Sequence, residues 1–566
     1  MPADQPLRVV LCWHMHQPEY RDLSSGEYRL PWTYLHATKD YVDMAAHLEA
    51  VPEARAVVNF APVLLDQIED YARQIQAYLS GQGAISDPLL AALGGAVLPT
   101  STERRLQLIK DCLRANEKRL IKRFAPYERL ARIAGWFDHQ PEDVAYLSDQ
   151  YLADILMWHH LAWLGETVRL QDARVARLMD KGQGYSLHDR CELLTIIGEL
   201  VGGVIERYRR LAERGQVELS TSPYAHPIVP LLLDLNSAHE AMPGAPLPLS
   251  EDYPGGKARA RWHIEQGLAT FERHFGFKPI GCWPSEGSVS RATLALLAEY
   301  DIRWAASGGT VLHNSLAASA MPTAGCVHKA YRLTEADIRC FFRDDGLSDL
   351  IGFTYSDWHA DDAVANLINH LENIAEVCAG QADTVVSIIL DGENAWEYYP
   401  DNGYHLLSAL YRGLAAHPRL TLTTFSEVIR ARVPARELPE LTAGSWVYGT
   451  FSTWIGENDK NRGWDMLAEA KQCYDRVVAG SDLDDERRRL LLQQLAACEG
   501  SDWFWWFGDY NPAEAVSDFE HLFRTHLHNL YRMLGLEPPE YLSHAFTFGG
   551  GAPAAGGTMR HGQEPA

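Results

Sequence analysis

The stretch WPSEGSVS at 283–290 sets one carboxylate, Glu286, between an apolar run and a string of small residues. Taken alone, Glu286 reads as a cap on the helical pattern SVSRATLALLAEY that follows. A second carboxylate alters its weight. The apolar run VVSIIL breaks abruptly into DGENAWEYYPDNG, which leaves Asp391 at the end of a strand. An ionisable group there must be paired, hydrated or functional, because burying it unpaired is costly. Two carboxylates facing each other across a cleft are what cleavage of a glycosidic bond requires. One gives a proton to the leaving oxygen; the other attacks the anomeric carbon or activates water.

His14 and His16, in WHMHQP, fall on one face of an extended strand because side chains repeat every two residues. His226, in SPYAHPI, follows another strand and can join them. Such a group either grips a polar substrate by hydrogen bonds or holds a metal, as in metal-dependent amide hydrolases built on barrels. The metal reading calls for further ligands at strand ends, and Asp357 and His359 are the candidates. It ranks second: no metal and no cofactor is expected.

Eight short runs could carry these groups: LRVVLCW, AVVNF, VELSTS, PIGCW, IRWAAS, LIGFTYS, VVSIIL and LTLTTF, each ending in polar residues. Continuous apolar strands alternating with helical stretches predict a buried parallel sheet closed as a β/α barrel, with chemistry at the strands' C-terminal ends. The segment 63–215 is helical in pattern, an insertion that walls the cleft. A catalytic barrel over 1–430 is then followed by a helical domain over 431–545, in which Ser481 reads as an N-cap and Gly500 as a stop. The residues 546–566, rich in Gly and Ala, read as a disordered tail.

Composition narrows the partners. The 566 residues include 46% hydrophobic and 22% charged residues and no apolar run long enough to span a bilayer. A formal net charge of -24 repels phosphate backbones and anionic lipid, so neither nucleic acid nor membrane is an expected partner and a neutral substrate fits better. Sixteen tryptophans suit sugar stacking, although any single ring is first of all core. Nine scattered cysteines without CxxC spacing, and a start without basic and apolar leader regions, make a cytoplasmic location the expectation.

Five segments, in order, resemble the short conserved regions of the family 57 glycoside hydrolases, enzymes acting on α-glucans. They are HQP at 16–18, GQVELSTSPYAHPI at 215–228, GCWPSEGSVS at 281–290, ILDGENAWEYY at 389–399 and STWIGENDKNRGWDML at 452–467. The resemblance implies an α/β fold, an incomplete (β/α)7 barrel with helical insertions followed by an α-helical C-terminal domain completing the cleft. It implies a retaining mechanism with Glu286 as nucleophile and Asp391 as general acid/base, their carboxyl groups about 5 to 5.5 Å apart. His14, His16, His226, Trp283, Trp396, Trp454, Glu457, Asp459 and Trp464 would bind substrate, with Trp503, Trp505 and Trp506 stacking or walling the cleft. The segments PWTYLHATKDY, FRDDGLSDLIGF and SDWFWWFGDYN look most like the α-amylase and amylopullulanase type. A 4-α-glucanotransferase or branching enzyme on the same scaffold is the alternative.

Overall fold

The computed structural model describes residues 6–138, 140–322, 327–333, 336–551 and 558–560. Seven parallel strands form a curled sheet: β1 (Leu7–Met15), β2 (Ala56–Phe60), β3 (Val217–Thr221), β4 (Gly281–Cys282), β5 (Trp304–Ser307), β6 (Arg339–Phe342) and β7 (Val385–Asp391). Their spatial order is β7-β1-β2-β3-β4-β5-β6. Beyond β6 the sheet continues into the short strands Ala330–Leu333, antiparallel to it, and Ala435–Leu438, while Leu420–Leu422 pairs with the start of β1. The gap between β6 and β7 is bridged by isolated bonds: Arg343 Nε donates to the Ile389 carbonyl at 2.8 Å, and the Asp344 N–H to the Ser387 carbonyl at 2.8 Å. The incomplete barrel expected from the resemblance is present.

The period-two logic is visible in β1. Val9, Leu11, Trp13 and Met15 pack outward into the main core with the helices, whereas Val10 and Cys12 enter the barrel interior with Val57, Trp304, Phe341 and Ile389. A ring such as Trp304, wholly shielded from water, contributes about 4–6 kcal/mol by area alone. Continued one step further, the alternation aims His14 into the barrel mouth.

Seven of the eight runs read from the sequence meet a strand. The exception is LIGFTYS. Leu350–Thr354 and Tyr355–Asp357 are helical, and the strand sits upstream at Arg339–Phe342. The cause is local: the Asp344 carboxylate caps the turn at Asp345–Asp349 by accepting the Leu347 N–H at 2.9 Å, and the helical path runs on through the apolar residues.

Helices fill 62–213 between β2 and β3, ending in α1 (Leu187–Glu213), whose start carries a capping box of Ser186 and Asp189. The helix α2 (Gly256–Phe275) precedes β4 and stops at Gly276, φ +81. After the barrel come α3 (Asn458–Gly480), α4 (Asp485–Cys498), α5 (Ser501–Trp506) and α6 (Ala513–Met533). Ser481 terminates α3 instead of capping α4, because Asp484 accepts the Arg487 N–H; Gly500 does mark the stop, immediately before α5.

These helices share the main apolar core with the barrel. They are also tied to it by a buried ion pair. Glu499, between α4 and α5, receives Arg259 at 2.7 Å and His263 at 2.7 Å from α2 and the Tyr253 hydroxyl at 2.5 Å. Those cationic and donor groups outweigh burial and hold its carboxyl down at about 2. No described helix is long and apolar enough to cross a membrane, and the eight described cysteines are free thiols.

Candidate active site

In-register parallel pairing brings one polar row to the barrel mouth. Asp391 pairs with His14, His14 with Asn59, and Asn59 with Ser220. His14 Nδ1 meets Asn59 Oδ1 at 2.6 Å, and Asn59 Nδ2 donates to Ser220 Oγ at 3.1 Å. Glu286 lies on a turn just past β4, with φ 57 and ψ 26, and Gly287 follows at φ +58. A left-handed conformation is unusual for a residue with a Cβ and costs on the order of 1–2 kcal/mol. Here it turns the Glu286 side chain into the mouth.

Glu286, Asp391, His14 and His16 line one cavity of about 250 Å³, together with Glu393, Trp446, Asp502, Trp505 and Trp506. Glu286 Oε2 accepts from Trp446 Nε1 at 3.1 Å and Oε1 from Ser501 Oγ at 3.3 Å. Burial, then the charges of Asp502 and Asp391, pushes the Glu286 carboxyl well above the usual range, while those two donors act the other way. Asp391 accepts from Asn394 Nδ2 at 2.9 Å, and burial raises it to about 6 against the pull of that bond and of His16 and Arg343.

The three histidines converge as expected. His226 is stacked on His16 with ring centroids 3.8 Å apart, and on His14 at 5.0 Å; its Nδ1 lies 3.0 Å from Ser501 Oγ and 3.7 Å from Glu286 Oε1. His16 Nε2 sits 2.9 Å from Asp502 Oδ1. Burial drives His14 down to about 3 and His226 well below its ordinary value, so both rings are neutral. Among the described residues, His14 Nε2, His16 Nδ1 and His226 Nε2 have no hydrogen-bond partner. Rings with a free nitrogen suit sugar hydroxyls. The three also offer nitrogens within 4.8 Å of one another, a spacing open to a metal ion. The further ligands that the metal reading asked for are absent from the site: Asp357 and His359 are exposed, because LIGFTYS is helical and ends on the surface.

The predicted aromatic binders divide. Trp505 and Trp506 wall the cavity. Trp283 is buried beneath it, its ring 6.1 Å from His14 and 5.1 Å from Trp446. Trp396 and Trp464 are core: their N–H groups go to the Gly392 and Trp454 carbonyls, and Trp464 stacks on Phe504 at 4.7 Å. Trp503 likewise gives its N–H to the Ala497 carbonyl. Trp454 is buried behind Trp505 at 5.9 Å. Glu457 and Asp459 stand at the start of α3 outside the cavity lining, Asp459 accepting from Thr547 Oγ1 at 2.7 Å.

Four groups in the site were not singled out from the sequence. Ser501 and Asp502 open α5, and the Ser501 N–H donates to the His226 carbonyl at 3.0 Å, docking the helical region on the barrel. Trp446 arrives on a loop fixed by the bridge between Val289 and Gly444. Glu393 accepts from the His16 N–H at 3.2 Å and Gln17 Nε2 at 3.1 Å, and burial, then Asp391, pushes it well up. Its acid-glycine-acid spacing from Asp391 was the available signal. Gly392 between them packs closely on Met15, whose Sδ would lie 2.1 Å from a Cβ there and would have to shift to admit one.

The family model described as glycosyl hydrolase family 57 matches residues 10–442. A 1,4-alpha-glucan branching enzyme of Thermococcus kodakarensis is 28% identical over 116 residues, which span 20% of this chain and 14% of that enzyme's length. In fold the chain is similar to the GH57-type branching enzyme of Pyrococcus horikoshii, with a TM-score of 0.58 at 15% identity over 96% of this chain and 92% of that one. It is also similar to the alpha-amylase AmyC of Thermotoga maritima, with a TM-score of 0.55 at 13% identity over 94% and 93%.

Proposed function

Because the chain belongs to glycosyl hydrolase family 57, we propose that its cleft cleaves α-glucosidic bonds of starch-like or glycogen-like chains with retention, through a covalent glycosyl-enzyme intermediate. The observation that supports this most is the meeting of Glu286 and Asp391 in one cavity. Glu286 is the nucleophile: its two oxygens face Trp446 Nε1 and Ser501 Oγ, donors that favour the charged form. Asp391 is the general acid, its carboxyl raised to about 6 by burial, and becomes the base that activates the incoming hydroxyl. His14, His16 and His226 take the hydroxyls of the sugar ring at their free nitrogens.

The wall of the cavity favours a second outcome at the same intermediate. Trp32, Trp446, Trp505, Trp506 and Phe519 line it with apolar rings. Such a wall excludes water and stacks a second sugar, so transfer to a glucan hydroxyl competes with hydrolysis.

The test is to incubate the protein, Glu286→Gln and Asp391→Asn with maltoheptaose, soluble starch and pullulan, with and without chelator, and to resolve products by chain length. Shorter products alone mark hydrolysis, longer ones beside them mark transfer, and cleavage of pullulan marks action on α-1,6 bonds. Both variants should lose several orders of magnitude. Retained activity in either variant, or loss of activity with chelator, would overturn the carboxylate assignment.

A further inference from the structure

The Gly-rich C-terminal segment, expected to be disordered, is stitched to the helical half where the structure describes it. Phe546 packs edge-on against Phe507 at 5.0 Å, and Thr547 Oγ1 accepts the Gly508 N–H at 3.0 Å. The Gly550 N–H then reaches the Asp509 carbonyl at 2.9 Å, and the Gly551 N–H the Asn511 carbonyl at 3.1 Å. Two glycines are needed for so close a path. A Cβ on Gly549 would come within 2.7 Å of the Ala513 and Asn511 backbone, and one on Gly551 within 1.8 Å of the Tyr510 carbonyl oxygen.

Residues 558–560 lie at the cleft itself. Thr558 lines the cavity of Glu286 and Asp391, and Thr558, Met559 and Arg560 line an adjoining space with Asp391, Trp446 and Trp505. The Arg560 guanidinium sits 5.0 Å from the Trp505 ring centroid and 4.7 Å from that of Tyr510, and Nη2 donates to Asn511 Oδ1 at 3.3 Å. Its Nε is buried without a partner among the described residues.

We infer that Arg560 is a specificity-determining residue: it occupies the Trp505 face and walls one end of the cleft, so that it sets the length of glucan chain accepted. This rests on the α-glucan reading above. A guanidinium over an indole is held by the ring quadrupole and competes with a sugar for the same surface. A short oligosaccharide fits beside it, while a long chain has to displace it.

Arg560→Ala and Arg560→Lys, in the full chain, test this by kcat and KM on maltotriose and on amylose. For Arg560→Ala, KM on amylose falls about fivefold, the worth of one such contact, with kcat and the maltotriose constants unchanged. Arg560→Lys, which keeps a cation over the ring, stays near the parent protein. An unchanged ratio of amylose to maltotriose KM in Arg560→Ala overturns the inference alone, whereas a parent protein inert on every α-glucan overturns the functional reading and this inference with it.

Discussion

Replacing Trp446 by Phe isolates one hydrogen bond to the proposed nucleophile. The benzyl ring keeps most of the edge contact with Trp283, now 5.1 Å between centroids, and removes the Nε1 donor 3.1 Å from Glu286 Oε2. A hydrogen bond to a charged group contributes about 1.5–3 kcal/mol, so on the acid side of the profile, where the ionised fraction of Glu286 limits the rate, formation of the glycosyl-enzyme should slow by about 10- to 150-fold. The same bond opposes the upward push of burial on Glu286. Its loss therefore moves the acid limb of kcat/KM up by about 1–2 pH units. Single-turnover kinetics with an α-glucosyl fluoride separates this step from release, and a pH series reads the limb. Turnover within about twofold of the parent together with an unmoved limb would refute the reasoning, because Trp446 would then act only by packing.

In the proposed mechanism the reactive form holds one proton between Glu286 and Asp391. Both groups are raised, so the doubly protonated, unreactive form persists up to about pH 6, and kcat/KM climbs through about pH 6 with rising pH; a midpoint near pH 4, ordinary for carboxylates, would contradict the burial argument. Glu499→Ala leaves Arg259 uncompensated in the core and should cost about 3–5 kcal/mol in denaturant unfolding. Since Glu499 is held down at about 2, its contribution is present above the ordinary glutamate pKa of about 4.3 and is lost as pH falls from there towards 2, which acid titration of the parent and variant compares. His14→Ala should raise KM for maltooligosaccharides about 2- to 10-fold, one neutral hydrogen bond, measured by initial rates.

The barrel was legible because its strands are buried on both faces and read as unbroken apolar runs, as VVSIIL and LRVVLCW do. The strand at Arg339–Phe342 was missed for the opposite reason: only Cys340, Phe341 and Phe342 are apolar there, and the longer run at 350–354 drew the assignment. Glu286 and Asp391 stood out as carboxylates at strand ends, and the alternation of β1 placed His14. Ser501 and Asp502 gave no such signal. They are ordinary first-turn residues until the helical region docks and sets them 215 and 486 residues away in sequence from Glu286 and His16. Trp396 and Trp464 show the converse, since a ring that stacks on sugar and a ring that fills a core look alike until the neighbours of the N–H are known.

The division of the cleft between strand ends and α5 makes catalysis a report on the whole chain. Glu286 and Asp391 leave the ribosome well before Ser501 and Asp502, so a nascent barrel carries its proposed nucleophile and acid without the hydroxyl that donates to one or the carboxylate that orients His16. On the proposed mechanism, partial products that end before residue 500 should be inactive, because they lack the Ser501 hydroxyl beside Glu286 and the Asp502 carboxylate beside His16. On that reading, turnover would mark a finished, docked molecule.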